Sequence, residues 1–346
     1  MPPRKPARAV SDQQVNDRAR GALLGLSAGE ALGQATQGRA LLAPSFPALA
    51  ETPARELPRP GALGPSSLSA VALGHALAAG GGYAADVAVA HHRLWLERTP
   101  SAPEVARDAL SNPHLQHFPF QASHVAWVRT QKRPPDGLPL VRTVPLALRY
   151  AREDSARCKA VQEDCRLTHA DPRAVLASLA LCGAVAAAAR TAAEEPAALF
   201  AAAQVELTRG AALLGAVSQE LIPEAQEAVR QLREDLALAE RPDPQLYGPD
   251  LHLHRAGPNV RVAFRLAFWE AAHAGSLVKG LQDVANRGGD AAVNGAVTGA
   301  LLGALHGEQA LPAHWRLALR QQRGPVPAGY GAPAWDLPTL LRPYEG

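Results

Sequence analysis

The chain has 346 residues, with 35 lysines and arginines against 32 aspartates and glutamates, so its formal net charge is only +3. The basic residues are interleaved with acidic ones and form no stripe with aromatic residues, which argues against a nucleic-acid-binding protein. Hydrophobic residues make up 47 % of the chain but aromatic residues only 5 %, so alanine and leucine must fill the core, which favours packed helices over β-sandwiches.

Three further features concern the compartment. The cysteines, Cys158, Cys165 and Cys182, are odd in number and form no C-x-x-C pair, which argues against a disulfide framework or a zinc site and fits a reducing cytoplasm. Residues 1–10 are basic and proline-rich and lack the apolar core of a secretory signal. Residues 176–193 are apolar, but alanine dominates them and charges bracket them, so we predict a buried helix and no membrane partner.

The chain divides into three parts by composition. We predict a disordered basic lead over residues 1–12, one all-helical domain over 13–322, and a proline- and glycine-rich tail over 323–346. Proline-rich segments predict loops at 43–61 and 241–258. Apolar periodicity predicts helices over 17–32, 68–79, 83–97, 104–110, 121–129, parts of 149–167, 176–193, 196–220, 224–240, 259–274, 293–307 and 311–322.

The most informative stretch begins at residue 287. Gly288 and Gly289 permit a tight turn, and Asp290 follows where a carboxylate can cap the next helix. Glycines then recur every fourth residue of that helix, at Gly295, Gly299 and Gly303. They share one face, so another helix or a ligand can approach the backbone closely.

This stretch resembles the second metal-binding motif of the ADP-ribosylglycohydrolase family, Gly-Gly-Asp-x-Asp-Thr-Asn followed by Gly-Ala-Leu-x-Gly-Ala. Ala292 and Val293 stand where the family has its second aspartate and its threonine, whereas Asp290 and Asn294 are kept. The resemblance implies an all-α fold, a compact orthogonal multi-helix bundle. It also implies hydrolysis of the glycosidic bond between ADP-ribose and a side chain, with two Mg²⁺ or Mn²⁺ ions.

The first metal-binding motif is altered as well. Residues 29–33 resemble the family's Gly-Asp-Ala-Leu-Gly, with Glu30 in place of aspartate, and Gln37 stands where many relatives have a glutamate. Glutamine cannot serve as a general base. Residues 64–67 align with Thr-Asp-Asp-Thr, so both carboxylates are replaced. Ser66 and Ser67 have a structural explanation as N-cap residues of the following helix.

Two further segments resemble the family. Residues 137–146 match its ligand loop at Arg142, but the flexible glycine-rich part is stiff and apolar, and Pro139 offers no N–H group to a phosphate. Residues 167–174 resemble Leu-Thr-His-x-x-Pro-x-Ala. Asp171 can cap the next helix with Pro172 in its first turn, and His169 either stabilises the fold or lines the cleft.

Other chemically interesting side chains have structural interpretations. His91 and His92 are adjacent on a helix and point to different faces, so together with His75 we interpret them as partly buried polar residues and not as metal ligands. Phe264 and Phe268, with Trp269 beside them, recur at helical spacing, which is typical of core packing.

Hard dications need several carboxylate or hydroxyl oxygens, and only Asp290 remains of the metal carboxylates that the resemblance implies. We therefore expect no metal site and no cofactor. The first hypothesis is a pseudoenzyme that binds ADP-ribose or a related nucleotide, or a protein partner. Its expected ligand-binding residues are Gln37, Ser66, Ser67, Arg142, His169, Gly289, Asp290 and Asn294.

Two alternatives stay open. One is an active hydrolase with a rearranged site that uses Glu30, Asp290 and Asp86 with a single Mg²⁺ or Mn²⁺ ion or none. The other is a protein-interaction module whose cleft has closed. The pseudoenzyme and the hydrolase predict an open polar pocket near Asp290, whereas the interaction module predicts an apolar, filled one.

Overall fold

The computed structural model describes residues 11–39, 63–115, 117–191, 195–242, 257–323 and 336–345. Within these residues no β-strand occurs, so the all-α fold is confirmed. The α-helices are α1 (Asp12–Gln34), α2 (Pro65–Gly80), α3 (Ala85–Glu97), α4 (Glu104–Leu110), α5 (Pro119–Arg129), α6 (Leu138–Arg142), α7 (Val144–Arg149), α8 (Asp154–Cys165), α9 (Pro172–Thr191), α10 (Ala197–Val217), α11 (Ile222–Ala239), α12 (Val260–His273), α13 (Leu277–Arg287), α14 (Ala291–His306), α15 (Ala313–Arg320) and α16 (Leu337–Leu341).

The centre of the bundle is an antiparallel contact between α1 and α14. Glycines on both helices let the two backbones come into direct contact, and we call these six glycines the glycine seam. They are Gly21, Gly25 and Gly29 on α1, which face Gly303, Gly299 and Gly295 on α14, in that order. A methyl group on Gly25 would overlap the carbonyl oxygen of Gly299 and lie 3.0 Å from its carbonyl carbon. The predicted stripe therefore packs against a helix, and it brings the end of α1 beside the start of α14.

The apolar helix α9 lies in the core and contacts α1, α10 and α14. By length and composition alone, α9 and α10 could each cross a membrane, but 89 % of the most apolar stretch of α9 is buried inside the protein. A buried core helix passes the same test, as predicted for residues 176–193. Phe264 and Phe268 are also fully buried, with their ring centroids 4.8 Å apart, so the core interpretation of these aromatics is confirmed.

The structure corrects one expectation near prolines and shows a helix within the proline-rich tail. Residues 137–146 were expected to form a loop, but they contain α6 and the start of α7, each with a proline in its first turn. Proline fits that position because its missing N–H group would have no helical partner there. The tail ends in α16, which Asp336 caps and whose Leu337 and Leu341 are buried. The end of the tail therefore packs onto the helical body.

The first helix begins five residues earlier than the predicted start at residue 17. Helix α1 starts at Asp12, and Ser11 caps it by accepting a hydrogen bond from the Gln14 N–H group, while the Gln14 side chain binds the Ser11 backbone. This reciprocal arrangement satisfies two N–H groups at the helix start. The remaining lead, the predicted loop at 43–61 and most of the loop at 241–258 lie outside the described residues.

Candidate functional site

A cleft of about 770 Å³ opens at the end of the glycine seam where α1 finishes and α14 begins. Its wall combines carboxylates and a histidine with two tryptophans: Glu30, Asp136, Asp290, His169, Trp95 and Trp127. The volume lies within the range of small-molecule sites, and a mostly apolar wall with a few convergent polar groups is typical of them. Among the described residues the cleft is therefore open, and not filled as the interaction-module hypothesis predicts.

Glu30 lies at the floor of the cleft, where it caps a neighbouring helix. Its two carboxylate oxygens accept hydrogen bonds from the N–H groups of Ser66 at 2.8 Å and Ser67 at 2.7 Å. Burial raises the pKa of Glu30, and the hydrogen bonds from Ser66 and Ser67 offset only part of this increase. The expectation that a serine side chain caps α2 is wrong, since Gly64 holds the N-cap position and Glu30 satisfies the N–H groups.

Gly64 is what makes room for this carboxylate. A Cβ at that position would overlap the carboxyl carbon of Glu30. The length of the Glu30 side chain and the glycine at residue 64 therefore act together. As a result, the N–H groups at the start of α2, where an anion is favoured, are already bound by a carboxylate of the protein itself.

Gln37 organises the start of α14. Its Nε2 donates to Asp290 Oδ1 at 2.9 Å, and its Oε1 accepts from the Ala292 N–H group at 2.8 Å. Asp290 occupies the N-cap position of α14, but its side chain makes no capping hydrogen bond. The predicted capping role of Asp290 is thus wrong. Gln37 provides the cap because its amide carries both an acceptor and a donor.

Asp290 is a buried carboxylate that faces the cleft and has a shifted pKa. Burial and, to a lesser extent, the charges of Asp136 and Glu30 raise its pKa to about 6, while the hydrogen bond from Gln37 acts in the opposite direction and lowers it. The residue is only 7 % exposed. The protein therefore holds a carboxylate that changes its protonation state close to neutral pH.

This shift has a measurable consequence for stability. Because the pKa of Asp290 is higher in the folded protein than in the unfolded chain, this residue increases the free energy of unfolding at low pH. That contribution is complete below the ordinary pKa of an aspartate and is lost as the pH rises through about 6. At 1.36 kcal/mol per pKa unit, the ionised carboxylate costs about 3 kcal/mol at pH 8. We expect Asp290→Asn to be more stable than the parent at pH 8 by roughly 2–3 kcal/mol and equal to it near pH 4, as measured by urea unfolding.

Asp108→Asn, which changes an exposed aspartate of α4, is the control and should unfold like the parent at both pH values. If Asp290→Asn shows the same stability difference at pH 4 and pH 8, the carboxylate is not desolvated as described.

Asp136 is a second cleft carboxylate, and the sequence interpretation missed it. Its Oδ1 accepts from the Leu138 N–H group at 2.9 Å, and its Oδ2 lies 3.1 Å from His169 Nε2. Burial alone would raise the pKa of Asp136, but its interaction with His169 and the hydrogen bond from the Leu138 N–H group hold it below its ordinary value. The Pro-Pro-Asp-Gly sequence around it is a turn signal, which hid its position in the cleft.

His169 lies against the cleft with both ring nitrogens engaged. Its Nδ1 is 2.8 Å from Thr168 Oγ1, on the side away from Asp136. The helix after it begins as predicted, because Asp171 Oδ1 accepts from the Arg173 N–H group at 2.8 Å. Asp171 also accepts from Trp127 Nε1 at 3.0 Å, which fixes one aromatic wall of the cleft.

Four other candidates lie outside the cleft lining. Arg142 is fully buried and donates to Asp164 Oδ2 at 2.8 Å, so its expected ligand contact is corrected to a core ion pair. Asn294 is buried on α14, and Asp86 is exposed on α3. Gly289 has φ +63° and donates its N–H group to a backbone carbonyl at 2.9 Å, so it shapes the turn.

The remaining candidates keep a place at the site. Gln37, Ser66, His169 and Asp290 line the cleft, and Ser67 lies buried directly behind Ser66. His92 is completely buried, with Nε2 at 2.7 Å from Asp164 Oδ1, which agrees with its interpretation as a structural histidine.

The cleft does not fit a pair of dications. Both oxygens of Glu30 bind N–H groups, one oxygen of Asp290 binds Gln37, and Ala292 offers no ligand atom. Among the residues that the structure describes, no group of three or more histidines, cysteines, aspartates or glutamates could hold a metal ion. Mg²⁺ and Mn²⁺ prefer several free oxygen ligands, which this arrangement does not supply.

Two comparisons with known proteins found matches to this chain. The family model described as ADP-ribosylglycohydrolase matches residues 11–333. Among solved structures, this chain is similar to one named "ADP-ribosylglycohydrolase-related protein complex", with a TM-score of 0.64 and 24 % sequence identity over 88 % of this chain and 93 % of that one. At this identity the likeness shows the fold alone. A search of the curated proteins found no match.

Proposed function

This chain belongs to the ADP-ribosylglycohydrolase family, and we propose that it is a catalytically inactive member whose cleft binds ADP-ribose or a related nucleotide without a divalent metal ion. The observation that carries the proposal is the engagement of the remaining carboxylates. Glu30 caps α2 and Asp290 is held by Gln37, in a cleft that stays open.

The inactivity follows from what the family's chemistry requires. Paired metal ions would orient the ribose hydroxyls and activate a water molecule. In this chain Ser66, Ala292 and Val293 stand at positions where the family motifs have metal ligands. Neutral hydroxyl and methyl groups cannot replace carboxylates as ligands for hard cations.

The binding follows from the groups that remain. Carboxylates such as Asp136 and Asp290 accept hydrogen bonds from ribose hydroxyls, as acidic residues do in dinucleotide-binding folds. Trp95 and Trp127 offer apolar surface to a base. Arg133 is exposed on the rim, where a guanidinium can pair with a pyrophosphate that stays outside the acidic floor. The three free, buried cysteines support a cytoplasmic location.

A metal-free hydrolase is the second candidate, and one observation favours it. Asp136 and Asp290 line the same cleft, and their pKa values are shifted in opposite directions, to below the ordinary value and to about 6. Pairs of carboxyl groups with separated pKa values serve as base and acid in glycoside hydrolysis. Asp86 has no part in this version because it lies exposed on α3.

Calorimetric titration with ADP-ribose tests the proposal, with and without Mg²⁺. We expect binding that is independent of Mg²⁺, and Arg133→Ala should weaken ADP-ribose about tenfold while leaving adenosine unchanged, because only the former carries a pyrophosphate. Binding that requires Mg²⁺ would contradict the metal-free site. Absence of binding under both conditions would favour a protein partner, to be sought by pull-down.

A hydrolysis assay decides between the two candidates. The parent protein should release no ADP-ribose from ADP-ribosyl-arginine or ADP-ribosyl-serine, with or without Mg²⁺. Turnover that Asp290→Ala abolishes would show that the protein is an enzyme and that the pseudoenzyme proposal is wrong.

A further inference from the structure

We infer that Arg142 and Thr168 are positioning residues for the cleft, acting through His169 to hold Asp136 as a ligand acceptor. Arg142 is completely buried and Thr168 does not line the cleft, so neither touches a ligand. Their effect is transmitted along a buried network that ends at a side chain on the cleft wall. This role rests on the proposed function only in its choice of ADP-ribose as the binding probe.

The buried network is continuous from the core to the cleft. It comprises His92, Asp164, Arg142, Thr168, His169 and Asp136. In this order, consecutive partners are separated by 2.7, 2.8, 2.9, 2.8 and 3.1 Å. The first five members are buried, and Asp136, with a side chain 11 % exposed, faces the cleft. His92 Nδ1, at the inner end of the network, has no hydrogen-bond partner among the described residues, whereas every contact from Asp164 to Asp136 is made.

The inner half of the network fixes Arg142. Its Nε donates to Asp164 Oδ2 and its Nη2 donates to the Asp164 backbone carbonyl, both at 2.8 Å. His92 binds the other carboxylate oxygen of Asp164 at 2.7 Å. The guanidinium is therefore locked in one plane, which leaves its Nη1 to donate to Thr168.

The outer half sets the direction of each hydrogen bond. Because Arg142 Nη1 donates to Thr168 Oγ1, the threonine hydroxyl must send its own hydrogen elsewhere. Its possible acceptors are His169 Nδ1 at 2.8 Å and the Cys165 carbonyl at 3.5 Å, so the shorter contact takes the hydrogen. His169 then carries its hydrogen on Nε2 and donates it to Asp136.

The consequence is a carboxylate with fixed orientation. Asp136 receives one hydrogen bond on each oxygen, from Leu138 N–H and from His169, and its remaining lone pairs face the cleft. The charged groups around this pair are Arg142 and Asp164 on the core side and Asp290 across the cleft. Fixing both ring nitrogens of His169 prevents the ring from turning away from Asp136.

Thr168→Val tests the inference in the full-length protein, because valine keeps the shape of the side chain and removes its hydroxyl. We expect the ¹⁵N resonance of His169 Nδ1 to move to that of a ring nitrogen without a hydrogen bond, with His169→Gln used for assignment. We also expect the affinity for ADP-ribose to fall about tenfold. Thr168→Ser, which restores the hydroxyl, should return both quantities close to the parent values.

Thr298→Val is the matched control, because the Thr298 hydroxyl on α14 is buried and makes no hydrogen bond with any residue that the structure describes. It should leave the resonance and the affinity unchanged. An unchanged Nδ1 resonance in Thr168→Val, or equal behaviour of Thr168→Val and Thr168→Ser, would overturn the inference. If the parent binds no ADP-ribose, the proposed function fails separately, and the imidazole resonance alone decides the role of Thr168.

Discussion

Gly25→Ala is expected to remove most or all of the folding stability of this protein. The added methyl group would overlap the Gly299 carbonyl oxygen and lie 3.0 Å from the carbonyl carbon, so only a shift of α1 or α14 can relieve the overlap. Overpacking against side chains typically costs about 1–3 kcal/mol. Here the obstacle is backbone, and we expect roughly 4 kcal/mol or more. Urea unfolding followed by circular dichroism measures the loss.

Gly80→Ala is the control for this prediction. Gly80 also lies in a helix, α2, but a methyl group there would meet only the Ala84 side chain at 3.9 Å. Since alanine favours helix by up to about 1 kcal/mol over glycine, this variant should be neutral or slightly stabilised. Equal stability of Gly25→Ala and the parent would mean that α1 and α14 are not in backbone contact.

Arg142→Met has the second largest expected effect. The substitution leaves Asp164, whose side chain is fully buried, without the cation that pairs with it. Removing one member of a buried ion pair costs about 3–5 kcal/mol because the other charge stays uncompensated. Burial would raise the pKa of Asp164, but Arg142 and His92 lower it to about 2. Because this pKa is below that of an aspartate in the unfolded chain, the ionised Asp164 and its partner Arg142 stabilise the parent at neutral pH.

A second variant distinguishes charge from packing. Arg142→Met combined with Asp164→Asn removes the unpaired charge and keeps an acceptor for His92. The double variant should recover part of the loss, measured as the midpoint of urea unfolding at pH 7. If the double variant is as unstable as Arg142→Met alone, the loss comes from the shape of the arginine side chain and not from the charge on Asp164.

The helices were largely predictable because alanine- and leucine-rich periodicity is a local signal. One error lay at residues 137–146, where the family resemblance implied a loop. Pro139 and Pro145 instead each lie in the first turn of a short helix. Pro338 lies in the first turn of α16, within a tail whose composition hid the buried leucines. Proline marks a helix start as readily as a break, and only the packing of the following residues decides between the two.

The site was predictable only in part, because its geometry depends on contacts between distant residues. The motif positions located Glu30 and Asp290, but the sequence could not reveal that Glu30 reaches the N–H groups of Ser66 and Ser67. Nor could it show that Gln37, and not Asp290, caps α14. Family motifs identify positions, whereas the partner of each buried polar group is decided by the tertiary structure.

The glycine seam also has a consequence for biosynthesis. Helix α1 leaves the ribosome well before α14, and its partner surface is complete only when α14 has emerged, after all residues between Gln34 and Ala291. At ordinary translation rates this interval lasts roughly 10–50 s. During that time the small-residue face of α1 has no native neighbour, and nascent chains that stop before α14 should remain protease-sensitive. We therefore expect the contact between α1 and α14 to form late in synthesis.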